Sequence, residues 1–265
     1  MNDTADRAEL TIDGRRLSYL DFGGTGRPLV ALHGHLSEGA VFTHLAQAVG
    51  SEWRVIAPDQ RGQGASERAD DYSRDGYLGD LLALLDHLGL DRVVLLGHSL
   101  GGINAYQFAA RHPERVAAIV DVEGPAALGL DGKNPLSFLL GLPYDAPTRD
   151  ELVAGLGPAA PYFADRLRQN ADGSWRLPFH PQDMYQSEEL VHGDHWADWT
   201  ASSCPALLVH ATDGVGALPA GLVGEMVGRR PGTTAVQLDS DHMVPTTAPD
   251  ALAAAVREFL TALTQ

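Results

Sequence analysis

The chain has 265 residues, 44% of them apolar and 20% charged, an ordinary globular composition with enough length to bury a full-sized core. It carries 35 acidic against 19 basic side chains, and a formal charge of −16 disfavours nucleic acid and anionic lipid as partners. Cys204 stands alone, so no internal disulfide is available; the N-terminus lacks a signal-peptide core and no apolar run is long enough to span a bilayer, which makes a soluble cytoplasmic protein the expectation.

AELTI (8–12) and LSYLD (17–21) flank a turn at Asp13-Gly14 and read as an edge hairpin. PLVALHG (28–34) is a short apolar run ending in a turn, after which Val41, Leu45 and Val49 share a helical face. WRVIAPD (53–59) is a further strand, followed by the glycine-punctuated loop QRGQGAS (60–66). Leu78, Leu81, Leu82 and Leu85 then line a helix that stops near Gly89, where a glycine suits the left-handed cap. RVVLLG (92–97) is apolar throughout, as a buried parallel strand requires. The helical pattern of INAYQFAARHP (103–113) and the strand RVAAIVDV (115–122) complete a right-handed βαβ crossover.

From about Gly124 to Ser203 the rhythm breaks. Eight prolines interrupt short helical stretches there, and the segment holds Trp175, Trp196 and Trp199, three of the four tryptophans. This composition predicts a helical cap over 124–203, inserted into an α/β core made of 1–123 and 204–265. CPALLVHA (204–211) and TTAVQLD (233–239) are the last strands, with helices around Leu222 to Val227 and over about 248–263.

Nucleophilic catalysis by serine needs a base, a carboxylate to orient it and donors for the developing oxyanion. Gly97-x-Ser99-x-Gly101 sits between a buried strand and a helix, where a serine is presented on a sharp turn beside free helix N–H groups. His242, in DSDHMV after the last strand, has the side-chain chemistry to accept and return the serine proton.

With these features in place the chain resembles the α/β-hydrolase fold family, in particular the small cap-bearing serine hydrolases: carboxylesterases, lactonases, carbon–carbon bond hydrolases and cofactor-free haloperoxidases. The resemblance rests on LHGH (32–35), DQRGQGAS (59–66), GHSLGG (97–102), RHPERV (111–116), LLVHATD (207–213) and DSDHMVP (239–245), in that order. These motifs identify the family and leave the substrate open. The implied fold is a mostly parallel eight-stranded sheet with helices on both faces and an inserted helical cap.

By this resemblance Ser99 is the nucleophile, His242 the base, and the backbone N–H groups of His35 and Leu100 form the oxyanion hole. Asp213 matches the usual acid after the penultimate strand, although His210 stands where the family often has glycine. Glu123, ending the strand after the nucleophile helix, is the alternative acid or a polar wall of the pocket. His35, Trp196 and Trp199 are further candidates to line that pocket, and an aromatic-rich cap suits a small-molecule substrate with an apolar or aromatic part. Among the eleven histidines, His33 is expected to hold the oxyanion loop, His98 to pack away from the reacting groups, and His87 and His112 to lie on helices. Asp59 and Arg61 are expected to fix the glycine loop, and Asp239 and Asp241 to shape the loop around His242. His192 and His195 with Asp183 and Asp194 match no zinc signature, so neither a metal nor a cofactor is expected.

GHSLGG lacks the G-x-G-x-x-G fingerprint of dinucleotide enzymes, and no phosphate-binding GxxxxGK[ST] occurs. A non-catalytic binding protein on this fold would be expected to have lost one of the reacting residues. The expectation is therefore hydrolysis of a carboxylic ester or lactone through an acyl-enzyme. Carbon–carbon bond hydrolysis or perhydrolysis by the same residues is the alternative.

Overall fold

A computed structural model describes residues 5–212, 214 and 216–263. Eight strands form one sheet: β1 (Asp6–Ile12), β2 (Arg15–Asp21), β3 (Arg27–Leu32), β4 (Trp53–Pro58), β5 (Val93–His98), β6 (Val116–Val122), β7 (Ala206–Ala211) and β8 (Thr233–Leu238). Their spatial order is β1-β2-β4-β3-β5-β6-β7-β8. The first two strands make the expected antiparallel hairpin, β2 also runs antiparallel to β4, and every later neighbour is parallel. In β5 all six residues are buried, as the apolar run Val93–Gly97 before His98 requires of a strand covered on both faces.

The principal helices are α1 (Thr43–Ala48), α2 (Arg74–His87), α3 (Leu100–Arg111), α4 (Arg149–Leu156), α5 (Pro181–Val191), α6 (Trp196–Ala201), α7 (Ala220–Arg229) and α8 (Pro249–Ala262). Helix α2 presents Leu78, Leu81, Leu84 and Leu85 to the interior, and Gly89 beyond its end has φ +63°. Helix α3 begins at Leu100, three residues before the apolar periodicity suggests, because the chain turns straight from strand into helix at Ser99. Two apolar clusters cover the two faces of the sheet. One holds α2, α3 and α7 side chains with Leu156, Met184, Val191 and Trp199; the other holds Phe42, Leu45, Leu252, Val256 and Leu260 from α1, its preceding turn and α8. Burial of these side chains is the main stabilising term in a chain with no cross-link.

Between β6 and β7 the chain leaves the sheet. Alongside α4, α5 and α6 it forms pairs of two-residue strands, at 145–146, 168–169 and 175–176 and at 127–128 and 193–194, which the proline pattern did not announce. Helix α4 opens on a capping box in which Thr148 and Glu151 satisfy each other's backbone N–H groups. Among the described residues no helix is long and apolar enough to cross a membrane.

Candidate active site

The site lies at the carboxyl ends of the central strands. Ser99 stands between β5 and α3 with φ +52° and ψ −116°, a conformation that costs a non-glycine residue about 1–3 kcal/mol. The fold over-determines it. Ser99 donates its N–H to Val122 O at 2.8 Å, and its carbonyl accepts from Ile103 at 3.1 Å. A Cβ at Gly97 would fall 2.0 Å from Gly101 O, and one at Gly101 would fall 2.0 Å from Leu32 O. The two glycines of GxSxG are thus required by the close approach of α3 to β5 and β3.

Ser99 Oγ is 3.1 Å from His242 Nε2, and His242 Nδ1 is 3.1 Å from Glu123 Oε2. Three residues distant in sequence therefore form one hydrogen-bonded line. Glu123 directly follows β6 with φ +60°, and its carboxylate is fully buried. Its Oε1 accepts from Ala211 N–H at 2.7 Å and its Oε2 from Leu218 N–H at 3.0 Å, so the buried charge is hydrogen-bonded on both oxygens. Those donors belong to β7 and the loop behind it, which ties that loop to the same carboxylate. Asp213 lies outside the described residues. Among the described residues the carboxylate on His242 is that of Glu123, the second of the two acids named from sequence.

The loop bearing His242 is shaped by Asp241, whose Oδ1 accepts from Met243 N–H at 2.8 Å and Thr247 Oγ1 at 2.9 Å. His98 adds an anchor that sequence reasoning missed. Its Nε2–H donates to the carbonyl of His242 at 2.7 Å, with the two rings 5.1 Å apart. Burial, reinforced by the neighbouring His242, pushes the His98 pKa down to about 3, so the ring stays neutral and donates from Nε2. Its position directly before the serine, on a strand end facing the next loop, was the available signal. Asp121 is a second unanticipated support: its Oδ1 accepts from Gly124 N–H at 2.9 Å and fixes the turn after Glu123. Burial is the main cause that drives the Asp121 carboxyl well above the usual carboxylate range.

The loop after β3 brings Gly34, the residue before His35, beside Ser99. A Cβ on Gly34 would lie 3.2 Å from Ser99 Cβ. His33 holds this loop: its Nε2 accepts from Gln60 N–H at 2.9 Å, so the proton is on Nδ1, which donates to Gly34 O at 2.7 Å. Burial lowers the His33 pKa, in keeping with that neutral tautomer. Among the described residues no acceptor takes the backbone N–H of His35 or Leu100. The arrangement can therefore supply a hydroxyl, a neighbouring imidazole, a buried carboxylate and two unengaged N–H donors.

The expected aromatic walls are corrected by the structure. Trp199 is fully buried, donates Nε1–H to Met226 O at 2.8 Å and packs edge-on against Tyr106, where it joins α6 to α3 and α7. Trp196 lies under the Arg229 guanidinium at 4.1 Å. Trp199 packs in a core that also buries Phe163, Leu177, Phe179 and Met184 of the same segment, and the half-buried Trp196 packs against its edge. His35 turns its ring toward α5, not toward open space: Nε2 meets Ser187 Oγ at 2.8 Å and Nδ1 meets Glu188 Oε2 at 3.1 Å.

The other polar candidates have ordinary structural partners. Asp59 accepts from Gly39 and Ala65 N–H groups, and Arg61 pairs with Asp80, so both fix the glycine loop as expected. Asp183 binds Arg68 through two bonds of 2.7 and 2.8 Å, His192 meets Glu188, His195 contacts Gln107 and Val191 O, and Asp194 accepts from Trp196 N–H.

The chain is similar to several known proteins. The chain is 26% identical over 250 residues to a 2-(acetamidomethylene)succinate hydrolase of Mesorhizobium japonicum, covering 90% of each. A 2-hydroxymuconate semialdehyde hydrolase of Pseudomonas sp. (strain CF600) is 36% identical over 140 residues, 48% of this chain and 49% of that relative. The crystal structure of an E-2-(acetamidomethylene)succinate hydrolase superimposes with a TM-score of 0.83 at 24% identity, covering 97% of this chain and 99% of the other. An enol-lactonase from Burkholderia xenovorans LB400 has the same fold, with a TM-score of 0.75 at 21% identity over 96% and 100% of the two chains. A family model described as alpha/beta hydrolase fold matches residues 27–262. The chain belongs to the alpha/beta hydrolase fold family and is a hydrolase.

Proposed function

We propose that this hydrolase cleaves a carboxylic ester or lactone by nucleophilic catalysis from Ser99. The observation that carries the reading is the line of contacts Ser99 Oγ to His242 Nε2 and His242 Nδ1 to Glu123 Oε2, each 3.1 Å. His242 takes the serine proton as Oγ attacks the substrate carbonyl, and the oxyanion is received by the N–H groups of His35 and Leu100. The imidazolium then protonates the leaving alcohol, and water activated by His242 releases the acid from the acyl-enzyme. Glu123 holds the ring and stabilises the imidazolium. It takes the role for which Asp213 was the first candidate, since Nδ1 carries one hydrogen and Glu123 is the acceptor on it. Residues 124–203 act as the cap over this site, and residues 1–123 with 204–265 as the core. The substrate is a small molecule.

A second reading, cleavage of a carbon–carbon bond by the same residues, is favoured by the similarity to 2-hydroxymuconate semialdehyde hydrolase. A panel of esters, lactones and vinylogous diketones separates the two. Wild-type protein is expected to turn over an ester or lactone fastest, and Ser99→Ala to lower that kcat at least about 1000-fold. Equal rates for the two proteins would overturn nucleophilic catalysis; a preference for the diketones would select the second reading.

A further inference from the structure

We propose that the inserted segment assembles the oxyanion hole, with Glu188 and Ser187 of α5 as positioning residues for the backbone N–H of His35. The inference rests on the assignment of that N–H to the oxyanion and adds what holds it in place.

The loop over residues 33–39 is fastened at its two ends by the core. His33 bonds to Gln60 N–H, and Gly39 donates to Asp59 Oδ1 at 2.7 Å. Its middle is fastened by the inserted segment. His35 meets Ser187 and Glu188 with its two ring nitrogens, at 2.8 and 3.1 Å. The Leu36 carbonyl accepts from Arg166 Nη1 at 2.6 Å, and Glu38 pairs with Arg168. Leu36 has φ +60°, a left-handed conformation that a branched side chain does not adopt unaided. The peptide whose N–H is needed therefore sits beside a strained residue, gripped by contacts from a different part of the chain.

The grip on His35 is built to be rigid. The His35 and Glu188 side chains are 8% and 9% exposed. Ser187 Oγ is also 2.8 Å from Tyr77 Oη on α2, which couples the contact to the core. Glu188 Oε1 reaches His192 Nε2 at 3.2 Å, so both carboxylate oxygens are engaged. Burial opposes the charge on Glu188, and the hydrogen bond from His35 with the nearby imidazoles outweighs it, holding this carboxyl below the usual carboxylate range. An ionised Glu188 fixes the His35 ring through Nδ1–H and, through the ring, the direction of its N–H. An oxyanion donor acts only if it points at the charge that develops in the transition state, so loss of this hold falls on turnover and spares substrate binding.

The test is steady-state kinetics of Glu188→Ala, Glu188→Gln and Ser187→Ala on the best ester, with thermal unfolding of each. Glu188→Ala is expected to lower kcat about 10- to 100-fold with KM within about threefold of wild type. Glu188→Gln, which keeps an oxygen for Nδ1–H, is expected to recover much of the loss. If Glu188→Ala does not fold, Ser187→Ala carries the test, expected to lower kcat and spare KM. A wild-type kcat in folded Glu188→Ala, or in Ser187→Ala where it replaces that variant, overturns the proposal, as does a loss confined to KM. An active Ser99→Ala protein, by contrast, would remove nucleophilic catalysis itself, so the two failures are told apart.

Discussion

At the scale of single residues, Glu123 is the acid that meets His242 among the described residues, and Asp213 lies outside them. Asp213 and Glu123 both follow a central strand, and sequence order alone ranks Asp213 first through resemblance. What spacing could not convey is the positive φ of Glu123, which aims its carboxylate at His242 and at the N–H groups of Ala211 and Leu218. That Ser99 and His242 meet was legible because the motifs put a serine and a histidine on turns at the same end of the sheet. His98 was read as packing, because its bond runs to a carbonyl 144 residues away and no motif encodes that. Its depressed pKa has a consequence for stability. Folded His98 takes its proton only near pH 3, whereas in the unfolded chain it does so near its ordinary value, so the unfolded state binds more protons between those limits. Stability contributed at this site is complete above about pH 6.5 and declines as pH falls toward about 3, at up to about 1.4 kcal/mol per pH unit. Urea unfolding at pH 7.5 and 5 should show a smaller acid loss for His98→Gln than for wild type.

At the scale of elements, every strand of the sheet was legible, since buried parallel strands are mostly apolar and β5, β6 and β7 are, with His98, Asp121 and His210 the polar residues near their ends. The start of α3 was not, because Leu100-Gly101-Gly102 lacks the periodicity of a helix yet must be helical to seat Ser99. The glycines there are steric necessities. Gly101→Ala places a methyl 2.0 Å from the Leu32 carbonyl, and denaturant titration should show a loss of at least about 1–3 kcal/mol. Trp199 illustrates the opposite error, an aromatic expected at the pocket and found in the core. Trp199→Phe removes the donor to Met226 O, which should lower stability by about 1–3 kcal/mol while kcat on the best substrate stays within about twofold. A larger kcat effect would return this ring to the substrate pocket.

At the scale of the whole molecule, the inserted segment is the part least legible in advance. Its prolines announced short helices, yet its two-residue strand pairs and its bonds to distant loops depend on tertiary contact. Those bonds run to the loop over residues 33–39 and to Arg68 and Tyr72, which hold Asp183 at the start of α5. The segment also shares one apolar cluster with α2 and α3, so the two parts form a common core across one face of the sheet. Shared burial on this scale makes unfolding cooperative, and a single transition is expected in calorimetry of the intact chain. Two resolved transitions would show that the segment unfolds independently of the sheet.

The account turns on the hydrogen-bonded line that ends at Glu123, and kcat for Glu123→Gln and Asp213→Asn on the best substrate tests it most directly. Glu123→Gln is expected to lose about 1000- to 10,000-fold, because an amide cannot support the imidazolium, while Asp213→Asn stays within a few-fold of wild type. The reverse pattern, an active Glu123→Gln and an inactive Asp213→Asn, would contradict it.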